Sequence, residues 1–281
     1  NKELALLGKA LFNSPLLSQD NSVSCASCHM LSYGGDDGFP VSTGVNSSKG
    51  IRNSPTVLNA VFNFKQFWDG RVNTLSEQAE GPIHNPMEMN SNWPEVINKL
   101  SQDTYFSQAF KNIGFEKITK DGILEAIATF EQTLITPNAP IDLYIQGDNS
   151  ALSQQQKRGL TLFMEYGCAT CHQGTNIGGN LFQKFGRITG VARDLMRDQG
   201  RYLITGDKAD KNVFKVPSLR NVALTSPYFH NGSVETLEEA VSIMAESQLG
   251  RNLSSSEVAD IVALLDAFSG ETVEVFNNEI P

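Results

Sequence analysis

Residues 25–29 read CASCH and residues 168–172 read CATCH. The two pentapeptides take up all four cysteines of the chain and two of its four histidines. C-x-x-C-H is the attachment signal of c-type haem: two thiols add to the porphyrin vinyl groups, and the adjoining imidazole becomes an axial iron ligand. A zinc site of Cys25, Cys28, Cys168 and Cys171, or a pair of redox dithiols, would draw on the same thiols. Neither explains a histidine directly after each second cysteine. The pattern predicts two covalent haem c groups. One is held by Cys25, Cys28 and His29, the other by Cys168, Cys171 and His172.

The bulk numbers set the frame. A chain of 281 residues with 40% hydrophobic residues has room for one large or two ordinary globular domains. No apolar run reaches the 18 or more residues of a membrane span. A formal charge of −9 speaks against nucleic acid as a partner and favours a basic one. The chain opens NKELALLGKALF, with neither an initiator Met nor a basic-then-apolar leader, as a processed export product would. Bacteria attach covalent haem outside the cytoplasmic membrane, so likeness to c-type cytochromes implies a periplasmic protein.

The chain also repeats itself. GKALF precedes the first motif and GLTLF the second, and eight residues recur at one constant offset. Pro55, Asn59, Phe67, Gly70, Val72, Thr74, Leu75 and Glu77 match Pro217, Asn221, Phe229, Gly232, Val234, Thr236, Leu237 and Glu239. Helical signals dominate. Ser153 with Gln156 forms a capping box, Asn92 with Glu95 opens another helix with Pro94 in its first turn, and Ile123, Leu124, Ile127, Phe130 and Leu134 keep helical spacing after Thr119. The expected fold is mainly α: two cytochrome-c-like haem domains related by internal duplication, with long loops. Residues 1–150 form the first and 151–281 the second, with residues 1–16 free to pack on the other domain. The boundary is placed in the Pro-, Asn-, Gly- and Ser-interrupted stretch 136–153.

The two copies differ where a second iron ligand would sit. Met244 follows the shared Thr-Leu-x-Glu in the second copy, and a thioether opposite histidine raises a haem's reduction potential. In the first copy, allowing one extra residue, Ile83 faces that place; neither it nor Pro82 can bind iron. One haem reads as closed and electron-carrying, the other as open.

The stretches VSCASCH (23–29), RNSPTVLNA (52–60), FWDGRVNTLSEQAEGPI (67–83), NPMEM (85–89), VPSLRNVALTSPYFHNG (216–232) and LEEAVSIM (237–244) resemble those of the bacterial di-haem cytochrome c peroxidases. The resemblance spans nearly the whole chain. It implies reduction of hydrogen peroxide to water at the N-terminal haem, with electrons from a small cytochrome c or cupredoxin entering through the C-terminal one. By the same resemblance His29 and His172 are the proximal ligands and Met244 the distal ligand of the second haem. Glu88 becomes the acid–base group over the open haem with Gln78 beside it, and Trp68, matched in the repeat by His230, lies between the haems. Asn53, Thr225 and Pro227 would hold Ca2+ at the domain interface, the last two through carbonyls. A homodimer is common in the family. Splitting peroxide requires a proton moved from the inner to the outer oxygen, which a carboxylate within reach of both can do. His84 reads as a solvated or hydrogen-bonding residue, and His230 as a structural partner.

One stretch departs from the family. Most members carry a His after the Gly of STGVNSSKG (42–50), capping the resting peroxidatic iron; this chain has Val45. Valine cannot ligate iron, so the expectation is an iron open in the oxidised protein and a mobile 42–50 loop. The resemblance extends to MauG-like oxidases of partner proteins, but those carry Tyr where this chain has Met244. A non-catalytic di-haem carrier would need a ligand opposite each proximal His, and the first copy offers none.

Overall fold

The computed structural model describes residues 1–271. Its first part runs α1 (Lys2–Asn13), α2 (Cys25–Cys28), α3 (Leu75–His84), α4 (Trp93–Gln102), α5 (Thr104–Asn112) and α6 (Lys120–Glu131). Then follow α7 (Pro140–Ile145), α8 (Gln154–Glu165), α9 (Tyr202–Thr205), α10 (Leu237–Leu249) and α11 (Ser255–Asp266). A single antiparallel pair, β1 (Phe182–Lys184) with β2 (Val213–Lys215), puts Phe182 opposite Lys215. The architecture is mainly helical, with long connecting segments.

Local chemistry starts these helices where the sequence predicts. Ser153 and Gln156 close a capping box on α8, Asn92 accepts from the Glu95 amide, and Thr119 accepts from the Gly122 amide. Thr74 and Thr236, equivalent in the sequence repeat, cap α3 and α10 in the same way.

Two helix crossings build the frame. α1 packs across α6, and a Cβ on Gly8 would stand 1.9 Å from the Ala126 carbonyl oxygen. α8 packs across α11, where a Cβ on Gly159 would stand 2.0 Å from the Asp260 carbonyl oxygen. Only glycine admits such close approach. An edge-to-face pair buttresses each crossing: Phe12–Phe130 at 5.3 Å and Phe163–Phe268 at 5.9 Å. Residues 1–16, which the sequence leaves free to lie on the other domain, thus pack on α6 of their own part.

The main cores are separate. One gathers Leu4, Leu7, Leu11, Val96, Leu100, Phe110, Ile123 and Ile127; the other gathers Ile141, Leu152, Phe163, Ile261, Leu264 and Phe268. Ala139 and Ile141 belong to the later core, so α7 packs with it although it precedes residue 150.

Backbone geometry follows the sequence repeat. Asn59 and Asn221 both take φ of 60° ahead of a 3-10 turn, Phe67 and Phe229 take 65° and 69°, and Gly70 and Gly232 take 64° and 59°. Bridges Gln66–Val72 and Tyr228–Val234 stand at the same offset. The two parts meet at Thr136, whose hydroxyl accepts from Asn59 Nδ2 at 2.8 Å and from Asn221 Nδ2 at 3.0 Å.

Candidate functional site: two cavities and a shared wall

α2 delivers Cys25, Cys28 and His29 to one cavity, and the turn Cys168–Thr170 delivers Cys168 and His172 to another. In each, a half-buried imidazole lies beside the thiols. Burial holds His29 below its ordinary pKa and pushes His172 down to about 4, so both rings stay neutral, the form that ligates metal. His29 Nδ1 lies 3.3 Å from the Gly35 carbonyl, which orients Nε2 as the ligating nitrogen.

Met244 lines the second cavity from α10, along with Leu265 and Ile261 of α11. The first cavity is lined at the corresponding place by Pro82, one position short of the sequence expectation. Ile83 is 1% exposed and belongs to the core. The repeat therefore runs ungapped through α3 and α10, and the allowance of an extra residue is not needed. The conclusion survives, because a proline offers iron no donor.

Gln78 and Glu88 both line the first cavity. Burial raises the Glu88 carboxyl above the ordinary range, opposed by the hydrogen bond from Asn85 Nδ2 (2.6 Å) and by the charge of Arg71. Such a carboxyl is poised to gain and lose a proton nearer neutrality. Glu131 of α6 also lines this cavity. It is 4% exposed, its Oε2 has no partner, and burial pushes it up to about 8.

Trp68 lines both cavities, with Asn53, Ser54, Pro55 and Thr56. Its indole donates to the Asn53 carbonyl at 2.9 Å. Two backbone bonds cross this wall at equivalent positions: Asn53 N–H to the His230 carbonyl (2.9 Å) and Lys215 N–H to the Trp68 carbonyl (2.8 Å). Arg52 ties the parts together by bonding Asp69 and, through Nε (2.5 Å) and Nη2 (3.0 Å), Asp198. His230 is buried, stacks on Phe214 at 4.3 Å, and lines neither cavity. His84 is half exposed, beside Ser91 and Glu80, and also lines neither.

The 42–50 segment departs from expectation. Val45 is fully buried in the core and turned out of the first cavity, which Gly44 lines instead. Its N–H donates to the Glu88 carbonyl at 2.8 Å, and a Cβ on Gly44 would collide with the Met87 and Glu88 carbonyls. Backbone contact with the loop that carries Glu88 ties the segment down.

Asn53, Thr225 and Pro227 line the second cavity, with Asp36. Asn53 Nδ2 is committed to the Phe39 carbonyl, and Asp36 Oδ2 is buried without a partner. Oxygen donors of this kind suit a hard cation such as Ca2+. Among the described residues no cluster of three or more His, Cys, Asp or Glu could hold a metal, so any such site depends on carbonyl and amide oxygens. Asp36, Glu131 and Lys215 are functional candidates the sequence reading missed. The only signal was positional, since Lys215 repeats Asn53 at the common offset.

The helical frame and the two C-x-x-C-H cavities meeting at one wall define a di-haem c-type protein. The family model described as "Di-haem cytochrome c peroxidase" matches residues 2–150. "Cytochrome c551 peroxidase" of Pseudomonas aeruginosa is 45% identical over 276 residues, covering 96% of this chain and 79% of that protein. The protein of the same name from Nitrosomonas europaea is 44% identical over 272 residues, covering 96% and 81%. A solved "MauG-like protein associated with microbial copper homeostasis" matches with a TM-score of 0.86 at 27% identity, covering 96% of this chain and 90% of that one. The chain belongs to the di-haem cytochrome c peroxidase family, oxidoreductases that act on peroxide.

Proposed function

We propose that this protein reduces hydrogen peroxide to water in the periplasm with electrons from a small cytochrome c or cupredoxin, and that its halves arose by duplication of one haem domain. The observation that carries the division of labour is the asymmetry across a shared wall: Met244 faces the His172 cavity, and Pro82 faces the His29 cavity. The matched positive-φ residues and the doubled Asn–Thr136 junction support the duplication.

The haems supply peroxide binding and one-electron transfer. The chain's own residues do the rest. Cys25, Cys28 and His29 would hold the peroxidatic haem in the first cavity. Glu88 accepts a proton at one peroxide oxygen and returns it to the other, while Gln78 orients the substrate from the same wall. Cys168, Cys171, His172 and Met244 hold the second haem with neutral ligands that favour its ferrous state. Trp68, spanning both cavities, gives electrons a packed route between them. Asn53, Thr225 and Pro227, with Asp36 adjacent, hold Ca2+ and brace that wall. Each turnover takes two electrons and two protons per peroxide, giving two waters. A homodimer is part of the proposal, as in the family.

The test is spectral and stoichiometric. The oxidised protein should show one high-spin haem and one low-spin, methionine-ligated haem, and should react with peroxide without prior reduction. Two equivalents of reduced cytochrome c should be consumed per peroxide. Two low-spin haems, or no donor oxidation, would overturn the reading.

A further inference from the structure

Lys215 ends β2 in the wall of the second cavity and is 7% exposed. Its side chain makes no hydrogen bond or ion pair among the described residues, and burial pushes its ammonium down to about 8. A buried cation without a partner costs several kcal/mol. A lysine stem often reaches open space to escape that cost, and here the open space Lys215 borders is the cavity it lines. The one acid lining that cavity among the described residues, Asp36, has an oxygen that is itself unpartnered, and no ion pair joins it to Lys215. Both groups therefore line the same cavity without pairing with each other.

The repeat gives the position further meaning. Asn53 and Lys215 are equivalent, and their amides make the two crossed bonds of the wall, to His230 and Trp68. The first copy of this position offers a carboxamide oxygen and the second an ammonium. Haem carries two propionate carboxylates, which enter such a cavity as anions and need compensating charge.

We infer that Lys215 is the counter-ion of a propionate on the haem held by His172, and that it positions that haem and raises its reduction potential. This rests on the reading of the second cavity as a His172/Met244 haem site. A cation beside the macrocycle favours ferrous over ferric iron; removing it leaves an uncompensated carboxylate that favours ferric.

The test is a redox titration of the di-haem protein, following each haem separately. Lys215→Met keeps the length of the stem and removes the charge. It should shift the Fe(III)/Fe(II) equilibrium of the second haem about tenfold towards ferric, about 59 mV for one electron. The first haem should move much less. Lys215→Arg should hold the potential, and resonance Raman propionate modes should shift in the methionine variant but not in the arginine one. Should Lys215→Met fail to fold, Lys215→Gln against Lys215→Arg reads the same difference. An unchanged second potential in a folded variant that keeps its methionine-ligated spectrum overturns the counter-ion. Equal shifts in both haems do the same. Absence of a methionine-ligated spectrum in the unaltered protein would instead overturn the cavity reading itself.

Discussion

The two cavities are built on one plan and differ at a few positions. Each takes its thiols from a short turn, its lining from a helix capped by threonine, and its floor from a second helix crossed at a glycine. On that common frame, Pro82 replaces Met244 and Glu131 replaces Leu265. Glu88 comes from a loop after α3, where the second copy instead continues α10 to Leu249. The second cavity thereby gains a thioether in its lining. The first has a proline there and carries two carboxyls, Glu88 and Glu131. The lesson is that one frame can be furnished for different chemistry by a few changes in its lining.

Making the first cavity resemble the second should have the largest effect. Pro82→Met places a thioether where Met244 stands, so both haems should become low-spin and peroxide reactivity should nearly vanish. A high-spin oxidised spectrum in this variant would show that the two positions are not equivalent. Next in size, Glu88→Gln should leave both haem spectra intact and lower kcat by a factor of about 10² to 10⁴, the usual range for a lost acid–base group. Near-normal turnover at saturating peroxide would remove Glu88 from the proton path.

The frame itself can be compared in the same way. Gly8→Ala and Gly159→Ala each drive a Cβ into a carbonyl oxygen about 2 Å away. Each should cost about 1–3 kcal/mol or more by denaturant unfolding, as overpacking does. A clear inequality between them would mean that the crossings are not equally tight.

The last comparison sets Glu131 against its apolar counterpart. Its carboxyl is raised from 4.5 to about 8 by burial, so it stays protonated when folded and ionises when unfolded. Its contribution is fully present below about 4.5 and is lost as pH rises towards 8, on the order of a few kcal/mol in all. Glu131→Leu should flatten the stability profile across that window. A profile unchanged by the substitution would show that the group is ionised and partnered in the folded protein.

Much of this was legible in the chain. The two C-x-x-C-H motifs, Met244, and the eight residues repeated at one constant offset announce the attachment points, the asymmetry of the two copies and the repeated plan, because covalent attachment and ligation demand particular residue types at particular spacings. The capping residues Ser153, Asn92 and Thr119 likewise announce helix starts by local hydrogen bonding. Glu88 and the residues proposed to hold Ca2+ were accessible only through resemblance, since a lone carboxylate and main-chain carbonyls carry no pattern of their own. Other features were decided by tertiary structure alone. Whether Pro82 or Ile83 faces the cavity depends on how α3 is rotated against α6. Val45 is turned inward by its amide's bond to the Glu88 carbonyl, a contact spanning 43 positions that no local period encodes. Burial makes Lys215 and Glu131 informative, and burial is a property of which surfaces meet: the same side chains on an open face would be ordinary solvated charges.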